Sequence, residues 1–475
     1  MFPRCPSRPC ILEVPSLSIM AVWPPIFAVV LKASASINLD GQHKRPDISV
    51  EVFIISWQNT HDTSRREIGE PLGWESLVLV MAIPEMLIHQ VRVSVGLFRE
   101  TIVLRDLIRI NQPLIGKEEI DAATEVLKSG ILTEKSGMGP RTLEFEKEYA
   151  HYVGARHAVA MSSGTAALHA ALSITGVKQG DEVIVPSFTF HSTAEVVLLC
   201  GAEPVFADID PDTYTITADT IESVLTRNTK AIMPVHLYGL PADLDPIKKL
   251  ARERGVVLIE DAAQAHGAEY NNAKIGSIGD MTCFSFYAGK NMTTGEGGMV
   301  TTNDDDHSEK LQMIRTHGEQ RPYWPTVLGH NYRMSELVSA IGLAQLRKLP
   351  SFVEKRRQNA HFMSEQIGVL GKVIPPKEPP GRKHAWYLYT LRLRGANAGK
   401  RNKVVEKLRS KNIEAAVYYE SPLHLLPIYR NRSTSRRPLP ETEKACRQVF
   451  SLPVHPNLDD SEREYIVDTL KRVLT

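Results

Sequence analysis

Residues 248–267 read Lys248-Lys249-Leu250-Ala251-Arg252-Glu253-Arg254-Gly255-Val256-Val257-Leu258-Ile259-Glu260-Asp261-Ala262-Ala263-Gln264-Ala265-His266-Gly267, and this stretch decides the fold. A charged helical face, Lys248–Arg254, gives way to a short apolar run, Val256–Glu260, which ends on the carboxylate of Asp261. A short apolar run bounded by polar residues reads as a buried strand. Carboxyl ends of strands in open α/β sheets face the ligand crevice. An aspartate there can pair with a protonated ring nitrogen and keep it charged, or it can cap a turn. His266 reads better as a packed, hydrogen-bonded residue than as a ligand-binding one.

The same alternation extends outward. Strand-like runs stand at His157–Met161, Asp181–Pro186, Pro204–Ile209 and Ala231–His236 upstream, and at Cys283–Phe286 and Gly297–Thr302 downstream. Helix-like stretches lie between them, Thr165–Ile174 among them. Short β runs alternating with helices imply an α/β fold with a mostly parallel sheet, covered on both faces. After Leu349 the pattern changes to helical stretches, Phe352–Ile367, Asn402–Lys411 and Ser461–Leu474, mixed with short strands such as Trp386–Leu393. This predicts a smaller C-terminal α+β domain. Arg430–Arg437 is a basic, Ser-containing stretch expected to be an exposed loop.

The first hundred residues differ: prolines, isolated charges and short apolar bursts without sustained period. The expected organisation is an extension over 1–105, weakly ordered or outside the catalytic body, a large domain over 106–349 and a small domain over 350–475. Met81, Met86 or a nearby codon is a candidate true start.

Composition excludes some functions. The 56 basic and 55 acidic side chains leave a net charge of +1, which argues against a global claim on nucleic acid or an anionic membrane. The longest apolar run, Ile11 to Leu31, is interrupted by Pro15, Pro24 and Pro25, and so does not read as a spanning helix. Arg4 and Arg8 before it and Ala33-Ser34-Ala35 after it resemble a signal peptide, a reading weakened by the paired prolines. Cys5, Cys10, Cys200, Cys283 and Cys446 are scattered, with no zinc-type pair. They read as reduced thiols of a cytoplasmic protein, and no metal is expected.

Three further stretches carry chemistry. Ser162-Ser163-Gly164-Thr165 follows a strand and opens a helix. Free backbone N–H groups and the helix dipole attract an anion there, although an ordinary N-cap would look the same. Phe190 follows Pro186-Ser187-Phe188-Thr189 just past a strand end, where it could stack on a planar cofactor or pack in the core. In Phe284-Ser285-Phe286-Tyr287-Ala288-Gly289-Lys290-Asn291-Met292-Thr293-Thr294-Gly295-Glu296-Gly297-Gly298, a lysine sits between an apolar strand and a glycine-rich turn. A lone loop lysine is usually a solvated charge. A desolvated one has a lowered pKa and attacks carbonyls.

Taken in order, these motifs resemble the DegT/DnrJ/StrS family of sugar aminotransferases, within the fold type I enzymes dependent on pyridoxal 5′-phosphate (PLP). Pro234-Val235-His236-Leu237-Tyr238-Gly239, Gly329-His330-Asn331-Tyr332-Arg333-Met334, Val417-Tyr418-Tyr419, Pro422-Leu423-His424 and Leu452-Pro453 resemble the family too. The likeness runs from about Ile108 to the C-terminus. It implies a seven-stranded, mostly parallel sheet with a small C-terminal domain. It also implies that Lys290 holds PLP as a Schiff base, with Asp261 facing the pyridine nitrogen and Gln264 near the 3-hydroxyl. Gly164, Thr165 and Ser285 would bind the phosphate and Phe190 would stack on the ring. Asn331 would reach the phosphate of a neighbouring subunit, in a homodimer with shared sites. His191 departs from the small or apolar residue that members often carry after the stacking aromatic, which bears on substrate preference.

The implied activity moves an amino group from an amino acid, L-glutamate, to a nucleotide-linked keto-sugar. The rivals are a cyclitol or other ketone as acceptor, a sugar dehydratase and a non-catalytic PLP-binding regulator. Relatives of the dehydratase type carry histidine where this chain has Lys290, and the Lys290–Asp261 pair disfavours the regulator.

Overall fold

The structure is a computed structural model that describes residues 106–475, except 433, 435 and 436, together with the backbone of 27–36 and 47–56. The chain divides into two units, Met1–Arg105 and Asp106–Thr475. In the first, Phe27–Ser36 pairs antiparallel with Asp47–Ser56, in a stretch where the sequence reading assigned no element. The alternation Ile48-Ser49-Val50-Glu51-Val52 is the period-two signal it passed over. The signal-peptide-like charges Arg4 and Arg8, the candidate starts Met81 and Met86, and Cys5 and Cys10 lie outside the described residues.

The second unit is built on a seven-stranded sheet. Its strands are β1 (His157–Met161), β2 (Glu182–Pro186), β3 (Glu203–Ala207), β4 (Thr229–Ile232), β5 (Val257–Asp261), β6 (Met281–Ser285) and β7 (Gly298–Thr302). Their order across the sheet is β1-β7-β6-β5-β4-β2-β3. The β6–β5, β5–β4, β4–β2 and β2–β3 pairs are parallel, and β7 runs against both of its neighbours. Both faces are buried because residues on successive strand positions point opposite ways. On β1, Val159 and Met161 enter one core, while Ala158 and Ala160 enter the core on the other face. The first core includes Ala166, Ala167, Ala170 and Ala171, small side chains that let their helix approach the strands closely.

The helices that frame the site are α1 (Lys117–Ser129), α2 (Pro140–Val153), α3 (Gly164–Ser173), α4 (Ser192–Leu199), α5 (Ala218–Glu222), α6 (Leu244–Arg254), α7 (Asp305–Arg315) and α8 (Glu336–Gly368). α8 contains Pro350 and continues through it. The domain boundary expected between 349 and 350 therefore falls inside one helix rather than in a linker. Proline removes one N–H from the helix ladder, but buried residues on both sides, Leu349, Phe352 and Val353, hold the helix in register with its neighbours.

Beyond α8 the chain forms a three-stranded antiparallel sheet of β8 (Val373–Ile374), β9 (Tyr389–Leu393) and β10 (Val449–Leu452), in that order. It is flanked by α9 (Ala398–Arg409), α10 (Pro440–Gln448) and α11 (Asp460–Leu474). Ala360, Met363 and Ile367 of α8 share a core there with Leu391, Leu408, Phe450 and Leu470. The strand expected over 386–393 begins only at Tyr389, because Trp386 takes a left-handed backbone (φ 52°) incompatible with an extended ladder. Among the described residues no helix is long and apolar enough to cross a membrane.

Candidate active site

The carboxyl ends of β1, β2, β5 and β6 converge on a cavity of about 850 Å³. Ligand cavities generally run from about 300 to 1,000 Å³. Gly164, Thr165, Phe190, Asp261, Gln264, Ser285 and Lys290 all line it. Asn331 does not. It is exposed, in a bridge with Thr316 away from its own chain's cavity.

Asp261 is the last residue of β5 and is buried. Its Oδ2 accepts a hydrogen bond from Thr193 Oγ1 at 2.8 Å and its Oδ1 one from the Ala263 N–H at 3.1 Å. Thr193 spends its one proton on the carboxylate, so it accepts from Thr189 Oγ1, 3.2 Å away. Burial pushes the Asp261 carboxyl up. The Thr193 hydroxyl, the Ala263 N–H and the charge of Lys290 oppose that rise.

Lys290 follows β6 in the turn before β7, with its N–H donating to Tyr287 O at 2.9 Å. Its Nζ lies 4.6 Å from the centre of the Tyr387 ring. Burial lowers its pKa to about 8, against the attraction of Asp261. The amine is thus available as a base or nucleophile near neutral pH, which a solvated lysine is not.

The first turn of α3 lines the cavity beside the end of β6. Ser163 caps it, its Oγ accepting the Ala166 N–H at 3.1 Å. A Cβ on Gly164 would fall 2.6 Å from the Cβ of Ser285, so only glycine lets the helix start lie against the end of β6. Thr165 Oγ1 and Ser192 Oγ stand 3.0 Å apart, bringing a hydroxyl from the start of α4 beside the start of α3. Backbone N–H groups, the hydroxyls of Thr165, Ser192 and Ser285, and a positive helix end together could hold a phosphate.

Gln264 is spanned by two contacts: its Oε1 accepts the Tyr238 N–H at 2.6 Å and its Nε2 donates to Tyr419 Oη at 3.1 Å. Phe190, 48% exposed, stands at the mouth with its ring 3.8 Å from that of His191. His266 lies behind the site. Its Nε2–H donates to Ser285 O at 2.7 Å, which leaves Nδ1 to accept from Tyr149 Oη at 2.9 Å. Burial lowers its pKa to about 4 and keeps it neutral, the structural role its sequence context suggested.

Sequence reasoning missed Thr193, Tyr387 and Glu420, and gave Tyr419, which stands in a motif of the resemblance, no role in the site. Thr193 lies in the first turn of α4 and Thr189 in the loop before it, so their contact had no helical-spacing signal. Tyr387 and Glu420 come from the small layer, far from the other lining residues in sequence, and carried none.

The chemistry fits PLP. A carboxylate faces the cavity at a strand end, an amine of lowered pKa stands nearby, and a glycine-dependent helix start offers an anion cradle. The family model for DegT/DnrJ/EryC1/StrS aminotransferases matches residues 113–471. GDP-perosamine synthase of Caulobacter vibrioides is 39% identical over 377 residues, 78% of this chain and 100% of that protein. UDP-N-acetyl-3-dehydro-alpha-D-glucosamine 3-aminotransferase of Acidithiobacillus ferrooxidans is 39% identical over 71% of this chain and 89% of that protein. A Streptococcus pneumoniae structure in its PLP-form is similar with a TM-score of 0.72 at 31% identity, covering 77% of this chain and 98% of that one.

Proposed function

Since the chain belongs to the DegT/DnrJ/EryC1/StrS aminotransferase family, whose members use PLP, we propose that it transfers an amino group from L-glutamate to a nucleotide-linked keto-sugar. The observation that carries this reading is the convergence of Lys290, Asp261 and the α3 start on one cavity. Two relatives whose names specify nucleotide sugars support the acceptor class.

Bound PLP supplies an aldehyde carbon and an electron sink. Asp261, fixed by Thr193 and Ala263, would hold positive charge at the ring nitrogen, and the start of α3, with Thr165 and Ser285, would hold the phosphate. Gln264, held between Tyr238 and Tyr419, would serve the ring's 3-hydroxyl, and Phe190 would pack on the ring. Lys290 anchors the aldehyde carbon. With the amino donor in place, the Nζ of Lys290 would serve as the base that carries the proton from the donor's α-carbon.

Asn331 is exposed and outside its own chain's cavity, which supports a homodimer in which it serves the neighbour's phosphate cradle. Free thiols at Cys200, Cys283 and Cys446 fit a reducing, cytoplasmic setting.

The test is a coupled glutamate-to-2-oxoglutarate assay across a panel of nucleotide keto-sugars. Glutamate-dependent amination of at least one of them is expected. Loss of the PLP absorption with glutamate, without turnover on any keto-sugar, would leave the aminotransferase and reject the acceptor class.

A further inference from the structure

The cavity lining carries a carboxylate that the chemistry above does not use. Glu420 lines the cavity, is exposed to it, and makes no hydrogen bond or ion pair among the described residues. Its mount is rigid. On one side, Tyr238 Oη donates to Tyr418 O, and Gln264 holds the Tyr419 hydroxyl. On the other, Ser187 at the end of β2 accepts the Leu423 N–H on its carbonyl at 2.9 Å and the His424 N–H on its Oγ at 3.1 Å. Ser187 Oγ also pairs with His424 Nδ1 at 2.8 Å. Since Oγ accepts from the backbone, its own proton goes to Nδ1. Five bonds thus fix the segment from 418 to 424, with Glu420 at its lip.

The charge around it narrows the choice of ligand group. Lys290 is the one Lys or Arg that lines the cavity among the described residues, against the carboxylates of Asp261, Glu296 and Glu420, and the Arg401 guanidinium acts on Glu420 from behind the lining. A dicarboxylate donor meets like charge at this lip, and like charges in a cavity of reduced dielectric repel. A sugar ring is neutral and presents hydroxyl donors. Hydrogen bonds to a charged acceptor are the strong ones. We propose that Glu420 is a specificity residue that accepts hydrogen bonds from the acceptor's ring hydroxyls and discriminates against the anionic donor. The assignment rests on the sugar-aminotransferase reading above. It also orients the acceptor: the hydroxyl-bearing edge faces Glu420, and a diphosphate, if present, points away from it.

The distinguishing signature is a split in sign. In Glu420→Gln holoenzyme, the donor half-reaction, followed by the change in cofactor absorption with L-glutamate, should show a KM lowered by about two- to fivefold. Binding of UDP-N-acetylglucosamine or GDP-mannose, measured by calorimetry on the same holoenzyme, should weaken about tenfold, roughly 1.4 kcal/mol. Glu420→Asp keeps the charge but shortens the reach, so it should weaken sugar binding without the fall in donor KM. Sugar affinity equal to wild type in Glu420→Gln overturns the assignment, as do donor KM and sugar Kd rising together. Absence of sugar binding by the wild-type holoenzyme overturns it as well. A wild-type enzyme that binds sugar but converts no glutamate rejects the aminotransferase reading instead, and the calorimetry still decides the role of Glu420.

Discussion

Lys290 and Asp261 show how position changes what a side chain does. An ordinary lysine holds its proton to about pH 10.4; here burial beside the Tyr387 ring brings the pKa to about 8. Lys290→Ala should yield protein without a borohydride-fixable cofactor and without turnover, read by absorption and by mass of the active-site peptide. Full activity in that variant would remove Lys290 from its role. Asp261→Asn keeps the shape but loses the charge, and a fall in rate of orders of magnitude is expected. A rate within about twofold of wild type, well under 1 kcal/mol, would exclude charge stabilisation by this group. Gly164→Ala tests the cradle: a Cβ would stand 2.6 Å from Ser285, so α3 must shift and PLP retention should fall, as seen by dialysis against cofactor-free buffer.

At the scale of elements, the site is assembled from ends. Strand ends give Asp261 and Ser285, and helix starts give Gly164, Thr165 and Ser192. The small layer contributes through loops: Tyr387 just before β9 and the segment 418–424. Ser187 fastens that segment to the end of β2, and the His424 ring and N–H it satisfies are buried. Ser187→Ala leaves them unpaired, a loss of about 1–3 kcal/mol. Denaturant unfolding should show that loss, together with weaker acceptor binding. Unchanged stability would mean that the segment is held by packing alone.

For the whole molecule, the family likeness and the second unit coincide: the model matches 113–471, and the unit spans Asp106–Thr475. We propose that a chain beginning near Leu104 keeps its fold, cofactor and activity. Melting temperature and turnover beside the full-length protein check this, and a truncated chain that unfolds or sheds PLP would place the first 105 residues in the catalytic body. If the sites are shared, mixing Lys290→Ala with Asn331→Ala subunits should restore activity, because hybrid dimers hold one intact site; a fully active monomer contradicts it. Acid should weaken the fold. His266 and His384 are held neutral by burial, with pKa values near 4 and 3, against about 6.5 when unfolded. Above that value neither state binds the proton. As pH falls below 6.5 the unfolded chain takes it up first, so stability is lost towards pH 4 at about 1.4 kcal/mol per unit and group. A melting temperature flat from pH 7 to 4.5 would show that these rings stay solvated.

The sequence by itself determined the sheet and named most of the residues that line the cavity. Hydrophobic period and polar boundaries are local signals, and all seven strands stand where apolar runs had placed them, within a few residues. Asp261 and Gly164 were legible as candidates because each sits where an element ends or starts, whereas Lys290 and Ser285 were named through the resemblance of the surrounding motifs. What lay across the fold was decided by the tertiary structure. Thr193 reaches Asp261 across 68 residues of sequence, and Ser187 reaches His424 across 237. Whether Trp386 continues a strand, and whether Pro350 ends a helix, depended on neighbours that packing supplies and local propensity does not. The charge balance that singles out Glu420 exists only once the strand ends and the small layer enclose one cavity, because a carboxylate's effect depends on which charges and how much water lie around it.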